Sequence, residues 1–401
     1  MVLEIRISNF FSIKDEVVLD LRAAALKSSD GTLLEDHTFK FGDTRVLKSV
    51  AIYGANASGK SNLIKAIRFC HAMVYQSHTH NENTTFAFEP FKFDGYSEKP
   101  STYFIRFINK GVEYAYSFSL TKTEVVTESL YFFPKGRQKK IFTRDERLGK
   151  TKKEKYSFGT MIRRPMDVAE NTSKKTLYIS RASQMDREVA KDVFVYFAHK
   201  FVLDYLDTVP AVFFSKYRSR LLELLHAVDS DIKDFKVEKE VSSSIVRNNQ
   251  VLTPFKLTTY HQKNPEVPFD FKLEESYGTQ NFFFRMLTLL DVVENDKILL
   301  VDEIGDGLHP SIVDFILEFF YRESRKAQWI FTTHYTKLLA LDKLRKDQIY
   351  FTNKKEGATE LYSLYDFDDF REDMNVEDAY LQGRFDAVPF IDVFGYLKNV
   401  K

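Results

Sequence analysis

The sequence predicts an α/β fold: a mixed, largely parallel sheet with helices, an antiparallel β-subdomain and a short helical insertion. Two observations carry this expectation. Near both ends of the chain a short apolar run is followed by residues with helical apolar spacing, the order that builds a parallel sheet. Between them, residues 101–158 switch to alternation with period two, as half-buried antiparallel strands do.

Taken in order, Leu3–Ile7 alternates like a half-buried strand and Val17–Leu21 reads as a second. Ser49–Tyr53 is a buried-strand run that ends in a glycine-rich turn. After the turn, Asn62–Tyr75 can place Leu63, Ile64, Ile67 and Met73 on one helix face. Thr102–Phe107, Tyr114–Phe118 and Leu130–Phe133 alternate, with Asn109-Lys110-Gly111 as a hairpin turn between the first two. Asp186–Leu203 and Tyr217–Val228 carry helical spacing, and strand character returns at Lys236. Lys297–Val301, Ser311–Arg325 and Trp329–Thr332 then give strand, helix, strand. The expected units are an N-terminal lobe (1–165), a helical insertion (166–235) and a C-terminal lobe (236–401), in keeping with about 150 residues per domain.

Composition narrows the function classes. An apolar share of 44% over 401 residues is enough for real cores. A single cysteine cannot form an internal disulfide or a cysteine-based zinc site, which fits a reducing compartment. The 58 basic and 57 acidic residues nearly cancel, so no global field draws nucleic acid or anionic membrane. Met1–Arg6 has no apolar signal core, and no run approaches the roughly 18 apolar residues of a membrane span. The expectation is a cytoplasmic protein with no membrane partner. Phenylalanine is abundant, 38 residues against one Trp, which predicts aromatic-filled layers or a large interface.

The sharpest motif is Gly54-Ala55-Asn56-Ala57-Ser58-Gly59-Lys60-Ser61, a phosphate loop of the form G-x-x-x-x-G-K-[ST] between a strand and a helix. Its glycines let successive N–H groups turn toward phosphate oxygens, and the helix N-terminus that opens at Asn62 adds positive potential. Lys60 would reach the β/γ-phosphates of ATP, and the Ser61 hydroxyl would ligate Mg²⁺. Ile298–Val301 delivers Asp302 and Glu303 at a strand end. Asp302 is placed for Mg²⁺ and Glu303 for activating a water. Ser276-Tyr277-Gly278 offers a hydroxyl and free N–H groups at a helix start. Thr332-Thr333-His334 puts a histidine just beyond a buried strand, where it can bond a γ-phosphate or hold Glu303.

Phosphate loop, long insertion, S-x-G signature, Asp-Glu strand and switch histidine, in that order, resemble the P-loop ATPase head of ABC-type ATPases, and among them the SMC-like branch. The opening Ser8–Glu16 is similar to that of stand-alone prokaryotic AAA-type ATPases, the AbiL-type and OLD-related anti-phage defence group. So are Leu308-His309-Pro310, Asp347–Phe351, Glu360–Leu364 and Tyr380–Phe385. The resemblance implies a homo-oligomer, at least a head-to-tail dimer. Lys60, Ser61, Asp302, Glu303 and His334 of one chain would face Ser276 and Gly278 of the other across two ATP molecules. ATP would close the pair and hydrolysis would open it. It also implies a separate nuclease- or toxin-like effector. The departures are Phe11 where an Arg is usual, Glu275 where the signature has Leu, and no clear counterpart of the Q-loop glutamine, Gln76 and Gln280 being weak candidates. Phe11 is read either as a platform for adenine or as core.

Residues 61–275 are too few for a long coiled-coil arm, and residues 335–401 too few for an appended TOPRIM nuclease. Asp366-Phe367-Asp368-Asp369 reads as an acidic loop rather than a metal pair. Between Lys135 and Lys155 stand ten basic and three acidic residues, either a nucleic-acid surface or a solvated hairpin. Between Asp366 and Asp378 stand seven acids and one Arg, a capping surface or a docking face. Cys70 reads as core, and the helix near Arg181–Lys200 as a lid or interaction knob. Two other functions compete: an SMC-like DNA-repair or DNA-end-sensing ATPase, and a nucleotide-gated scaffold with little turnover.

Overall fold

The computed structural model describes residues 1–25, 35–205, 211–228, 231–239, 245–247, 250–252, 255–367 and 374–389. Among these residues the core is a six-stranded sheet in the order Phe201–Val202, Ile298–Val301, Gln328–Thr332, Ser49–Gly54, Ile349–Lys355, Ala358–Ser363. The first five strands are parallel, and the last pairs antiparallel with Ile349–Lys355. Every residue of Ser49–Gly54, Ile298–Val301 and Gln328–Thr332 is buried. This is why these segments read as unbroken apolar runs: helices or a second sheet cover both faces.

A seven-stranded antiparallel sheet packs on one side. Its order is Tyr156–Phe158, Lys139–Asp145, Val125–Phe132, Val112–Leu120, Ser101–Asn109, Val2–Ser8, Val17–Asp20. The hairpin at Lys110-Gly111 forms as expected, with φ of 49° and 76°, the left-handed pair that matches strand twist. The sequence did not reveal that the two N-terminal strands join this sheet. Gln328 ties the two sheets together: its side chain accepts from the Val2 N–H at 2.6 Å and donates to the Val2 and Leu47 carbonyls.

Between the sheets lies the helix Lys60–Gln76, with Leu63, Ile64, Ile67 and Met73 all buried. The aromatic surplus fills this layer. Phe10, Phe69, Phe88, Tyr103 and Phe118 form one contact chain, with ring centroids 4.8–6.3 Å apart. The region read as a lid or knob is instead core. Glu188–Lys200 buries Ala190, Val193, Tyr196 and Phe197, and Phe197 accepts a bond from His71 on the Lys60–Gln76 helix. Tyr196 stacks on Phe107 at 4.5 Å. So large an aromatic face has to be covered, and it leads directly into the edge strand Phe201–Val202, inside the 166–235 segment. Cys70 is buried, and burial pushes its thiol up to about 12.

The other face of the parallel sheet carries Ala211–Val228, Tyr277–Glu294, Pro310–Glu323 and Val376–Leu381, around a second apolar core. A three-stranded sheet, Ile232–Lys239, Phe255–His261 and Asn264–Asp270, leads into the Tyr277 helix. The acidic residues 368–373 lie outside the described residues, and with them the Asp368-Asp369 pair. No described helix is long and apolar enough to cross a membrane.

Candidate functional site

Three neighbouring parallel strands end at one place. Ser49–Gly54 leads into the phosphate loop, Ile298–Val301 into Asp302-Glu303, and Gln328–Thr332 into Thr333-His334. Adjacent strand ends in a parallel sheet place their loops side by side, the usual position of ligands in open α/β sheets.

The loop is built from its backbone. Gly59, at φ 110°, caps the Lys60–Gln76 helix, and Ala57 is also left-handed at 64°. A side chain at Gly59 would collide with Thr359, and one at Gly54 with Thr352 and Ser58. Both glycines are therefore required by close approach as well as by φ. The N–H groups of Gly59, Lys60 and Ser61 find no acceptor among the described residues, so the helix start is a ready anion cradle. Lys60 is buried, and its ammonium donates to the Gly54 and Ala55 carbonyls at 2.8 and 3.0 Å. Burial lowers its pKa, with Glu303 and Asp302 opposing the shift. The cation is thus held inside the loop, within the field of the two carboxylates.

A hydroxyl network that the sequence did not announce supports the loop. Ser58 Oγ bonds Thr352 Oγ1 at 2.6 Å, and Thr352 Oγ1 reaches the Tyr53 carbonyl. Thr359 Oγ1 donates to the Ser58 carbonyl at 2.9 Å and pairs with Ser12 Oγ at 2.7 Å. Asn62 Nδ2 donates to Ser12 Oγ. The N-terminal opening and the last two strands of the sheet therefore meet beneath the phosphate loop. The available signal was indirect: both segments carry phrases that resemble the same ATPase group.

At the carboxylate strand, Thr332 Oγ1 accepts from the Glu303 N–H and donates to Asp302 Oδ1, both at 2.7 Å. This fixes Glu303 in the left-handed region, φ 64°, a strained placement that aims its carboxylate away from the strand. The His334 N–H donates to Glu303 Oε1 at 3.2 Å, and His334 Nε2 stands 3.8 Å from Oε2. Partial burial lowers the His334 pKa, Lys60 lowers it further, and Glu303 and Asp302 oppose. Imidazole neutrality at pH 7 follows from that direction.

A cation at this place would find the Ser61 hydroxyl and Asp302 Oδ2, both hard oxygen donors. No described cluster of three His, Cys, Asp or Glu exists to make a closed protein cage. Few protein oxygens beside a phosphate cradle fit Mg²⁺, which keeps phosphate and water ligands.

Ser276 caps the helix Tyr277–Glu294, its Oγ accepting from the Thr279 N–H at 3.1 Å. Gly278 approaches the Gly307 carbonyl rather than the phosphate loop. Among the described residues no hydrogen bond or ion pair joins Ser276 or Gly278 to residues 54–62. Arg285, on the same helix, donates to the Ile304 and Asp306 carbonyls at 2.6 Å, locking the loop after Glu303 to the signature helix. Sequence reading missed Arg285, since nothing in its spacing marks it.

The departures also have structural places. Glu275 is buried and accepts from Thr259 Oγ1 and from His261 Nε2. Here a polar pair occupies the position of the expected Leu. Gln280 donates to the Lys272 and Glu275 carbonyls, and Gln76 ends its helix, so both serve local structure. Phe11 is not core: at φ 49° its ring is 37% exposed, with the Lys65 ammonium 6.0 Å away. His309 caps Pro310–Glu323 through Nδ1.

Among solved structures the chain is similar to three SMC heads. One is bound to the C-terminal winged-helix domain of ScpA (14% identity, 90% of this chain and 97% of that one, TM-score 0.44). The second is the SMC head domain of Thermotoga maritima (13%, 90% and 98%, 0.39). The third is a head with an extended coiled coil bound to the C-terminal domain of ScpA, from Pyrococcus furiosus (12%, 96% and 98%, 0.39). No curated protein matches. The profile of one sequence family matches residues 49–340, well over half of the chain, from the strand before the phosphate loop to just past the switch histidine. The chain belongs to that family, described as "AAA domain, putative AbiEii toxin, Type IV TA system".

Proposed function

We propose that this chain is an SMC-like ABC-type ATPase that hydrolyses ATP with Mg²⁺ in a head-to-tail dimer and uses the cycle to control a separate effector in prokaryotic anti-phage defence. The observation that carries the ATPase reading is the meeting of Lys60, Glu303 and His334 at the ends of three adjacent parallel strands. The toxin–antitoxin description of the family supports the defence setting.

In this reading Gly54, Ala55, Asn56, Ala57, Ser58 and Gly59 wrap the phosphates with backbone N–H groups, joined by those of Lys60, Ser61 and Asn62. The Lys60 ammonium turns from its own carbonyls to the β/γ-phosphates. Ser61 and Asp302 would hold Mg²⁺, which would neutralise phosphate charge when bound. Glu303 orients the attacking water and accepts its proton as the water oxygen bonds the γ-phosphorus and the bond to ADP breaks. His334 hydrogen-bonds the γ-phosphate while its backbone steadies Glu303. Ser276 and Gly278 of a second protomer bind the same γ-phosphate from the opposite side. Among the described residues of their own chain they make no hydrogen bond to residues 54–62, whereas beside them Leu273 and Tyr277 stand 84% and 63% exposed.

Glu303→Gln tests the reading. ATP binding should persist, turnover should fall at least 100-fold, and ATP should shift the protein to a dimer in sedimentation. Parent-like hydrolysis by the variant would remove Glu303 from the role of base.

A further inference from the structure

The basic stretch 135–155 divides in the structure. Arg144 is fully buried, bonded to Glu146 at 2.9 Å and to the Ser173 and Thr176 carbonyls. Lys155 pairs with Glu146, Arg147 with Asp145, and Lys152 donates to the Thr172 carbonyl. Arg144, Lys152 and Lys155 hold the β-subdomain together and are not available to a partner, whereas Arg147 is 67% exposed and keeps only its local pair with Asp145.

Lys135, Arg137, Lys139 and Lys140 are different. All four are exposed, at the turn and start of the strand Lys139–Asp145. Tyr156–Phe158 pairs with that strand, and Gly159 donates to the Ile141 carbonyl at 2.8 Å. Gly159 lies so close to the Lys140 carbonyl that no side chain would fit there. Four residues on, within about 14 Å of extended chain, Arg163 and Arg164 are both exposed while Ile162 is anchored in the core. Six exposed cations thus gather at one corner of the sheet. Residues 134–144 and 156–166, which form this corner, contain no Asp or Glu. Glu113, whose carbonyl accepts from the Phe133 N–H, has its carboxylate committed to Arg106. Among the described residues Lys140 bonds only Ser157 Oγ, and the other five cations have no carboxylate or hydrogen-bond partner.

We propose that this corner binds the phosphate backbone of a nucleic acid. Its chemistry is a run of unpaired cations beside solvent-facing hydroxyls. Ser157, Thr143, Ser129 and Ser117 are register neighbours across four strands, with Ser117 and Ser129 bonded to each other at 2.8 Å, and Lys140 links the Ser157 end of that row to the cations. Hydroxyls donate to phosphate oxygens as readily as cations attract them. The half-exposed ring of Tyr131 is paired with Lys140 on the next strand and offers a base-stacking surface. A repeating polyanion matches an extended corner better than a single phosphate does. The proposal stands apart from ATP turnover and does not require it.

The test is fluorescence anisotropy of the full chain with a labelled 30-nucleotide single strand and a 30-base-pair duplex, across a salt series. Binding to at least one probe is expected, with the logarithm of affinity falling by about 0.7–0.9 per phosphate contact for each tenfold rise in salt. Lys139→Glu/Lys140→Glu and Arg163→Glu/Arg164→Glu should each weaken binding more than tenfold and flatten the salt slope by one to two units, leaving ATP binding unchanged. Lys233→Glu/Lys263→Glu, on the three-stranded sheet, should bind like the parent. Three results would overturn the proposal: no binding to either probe, equal loss in the control variant, or equal displacement by polyglutamate of the same charge, which would mark a site for acidic protein instead.

Discussion

The two halves of the candidate nucleotide site are built on opposite terms. The phosphate loop is closed in by its own chain: Lys60 is buried, and hydroxyls from residues 12, 352 and 359 brace the loop from beneath. The signature turn is open, with Tyr277 and Leu273 in solvent and Gly278 against Gly307. The first half is preorganised to hold phosphate without help. The second has a capped helix start and, among the described residues, no hydrogen bond to residues 54–62. Such an asymmetry is what a shared site between two protomers requires, and substitutions in either half strain it to different degrees.

The largest effect belongs to the closed half. Lys60→Ala should weaken ATP binding at least 100-fold, about 3 kcal/mol, because the charge-assisted contact to the β/γ-phosphates is lost. Equilibrium binding of a fluorescent ATP analogue checks this; affinity within a few-fold of the parent would refute the phosphate-loop assignment. Next comes the open half. Gly278→Asp puts a charge where a γ-phosphate would lie. Turnover should fall at least 100-fold and ATP-dependent dimerisation should vanish, while ATP affinity of the monomer stays within twofold. A parallel loss of monomer affinity would place the signature in the same-chain site and erase the contrast.

How far this contrast was legible from sequence follows from the same physics. The phosphate loop could be read because one contiguous stretch supplies the glycines, the lysine and the hydroxyl between a strand and a helix. Asp302-Glu303 and His334 could be read because a buried strand advertises itself and fixes where its end lies. The bracing by Ser12, Thr352 and Thr359 could not, since hydroxyls more than 290 residues apart meet only through sheet order. Arg285 gave no signal for a similar reason: its partners are backbone carbonyls, which leave no residue preference behind. The Arg181–Lys200 helix was misjudged because its apolar face has the same spacing whether it meets a partner protein or the protein's own sheet. Charge counting alone could not divide 135–155, where three of the ten cations, Arg144, Lys152 and Lys155, neutralise a buried acid or bond carbonyls.

A smaller effect of pH acts on stability through two buried histidines. His71, on the phosphate-loop helix, donates to the Phe197 carbonyl, and burial lowers its pKa to about 4. Between about pH 6.5 and 4 the unfolded chain therefore binds a proton that the folded chain refuses. Stability rises with pH where the unfolded state holds more protons, so it should fall on acidification by about 1.4 kcal/mol per pH unit from this group. His37, lowered to about 4 by burial beside Tyr321 and Gln348, adds an equal slope. Urea unfolding at pH 7 and pH 5 measures the sum. His71→Phe should reduce the pH dependence by about half, and an unchanged slope would exclude burial of a neutral imidazole there.

The mildest change isolates the bracing itself. Thr352→Val keeps the shape of the side chain and removes the oxygen that bonds Ser58 Oγ and the Tyr53 carbonyl. One neutral hydrogen bond is worth about 1 kcal/mol net, and Ser58 is left with a buried hydroxyl beside a methyl. The expected result is a roughly fivefold weaker ATP affinity with unchanged turnover at saturating ATP, because the loop is loosened while Glu303 keeps its own ties to Thr332 and His334. Ser276→Ala, which removes a hydroxyl of similar strength from the open half, should leave monomer affinity untouched and lower turnover instead. If both variants changed the same parameter, the bracing and the signature would act on one step, and the division between a preorganised half and a borrowed half would not hold.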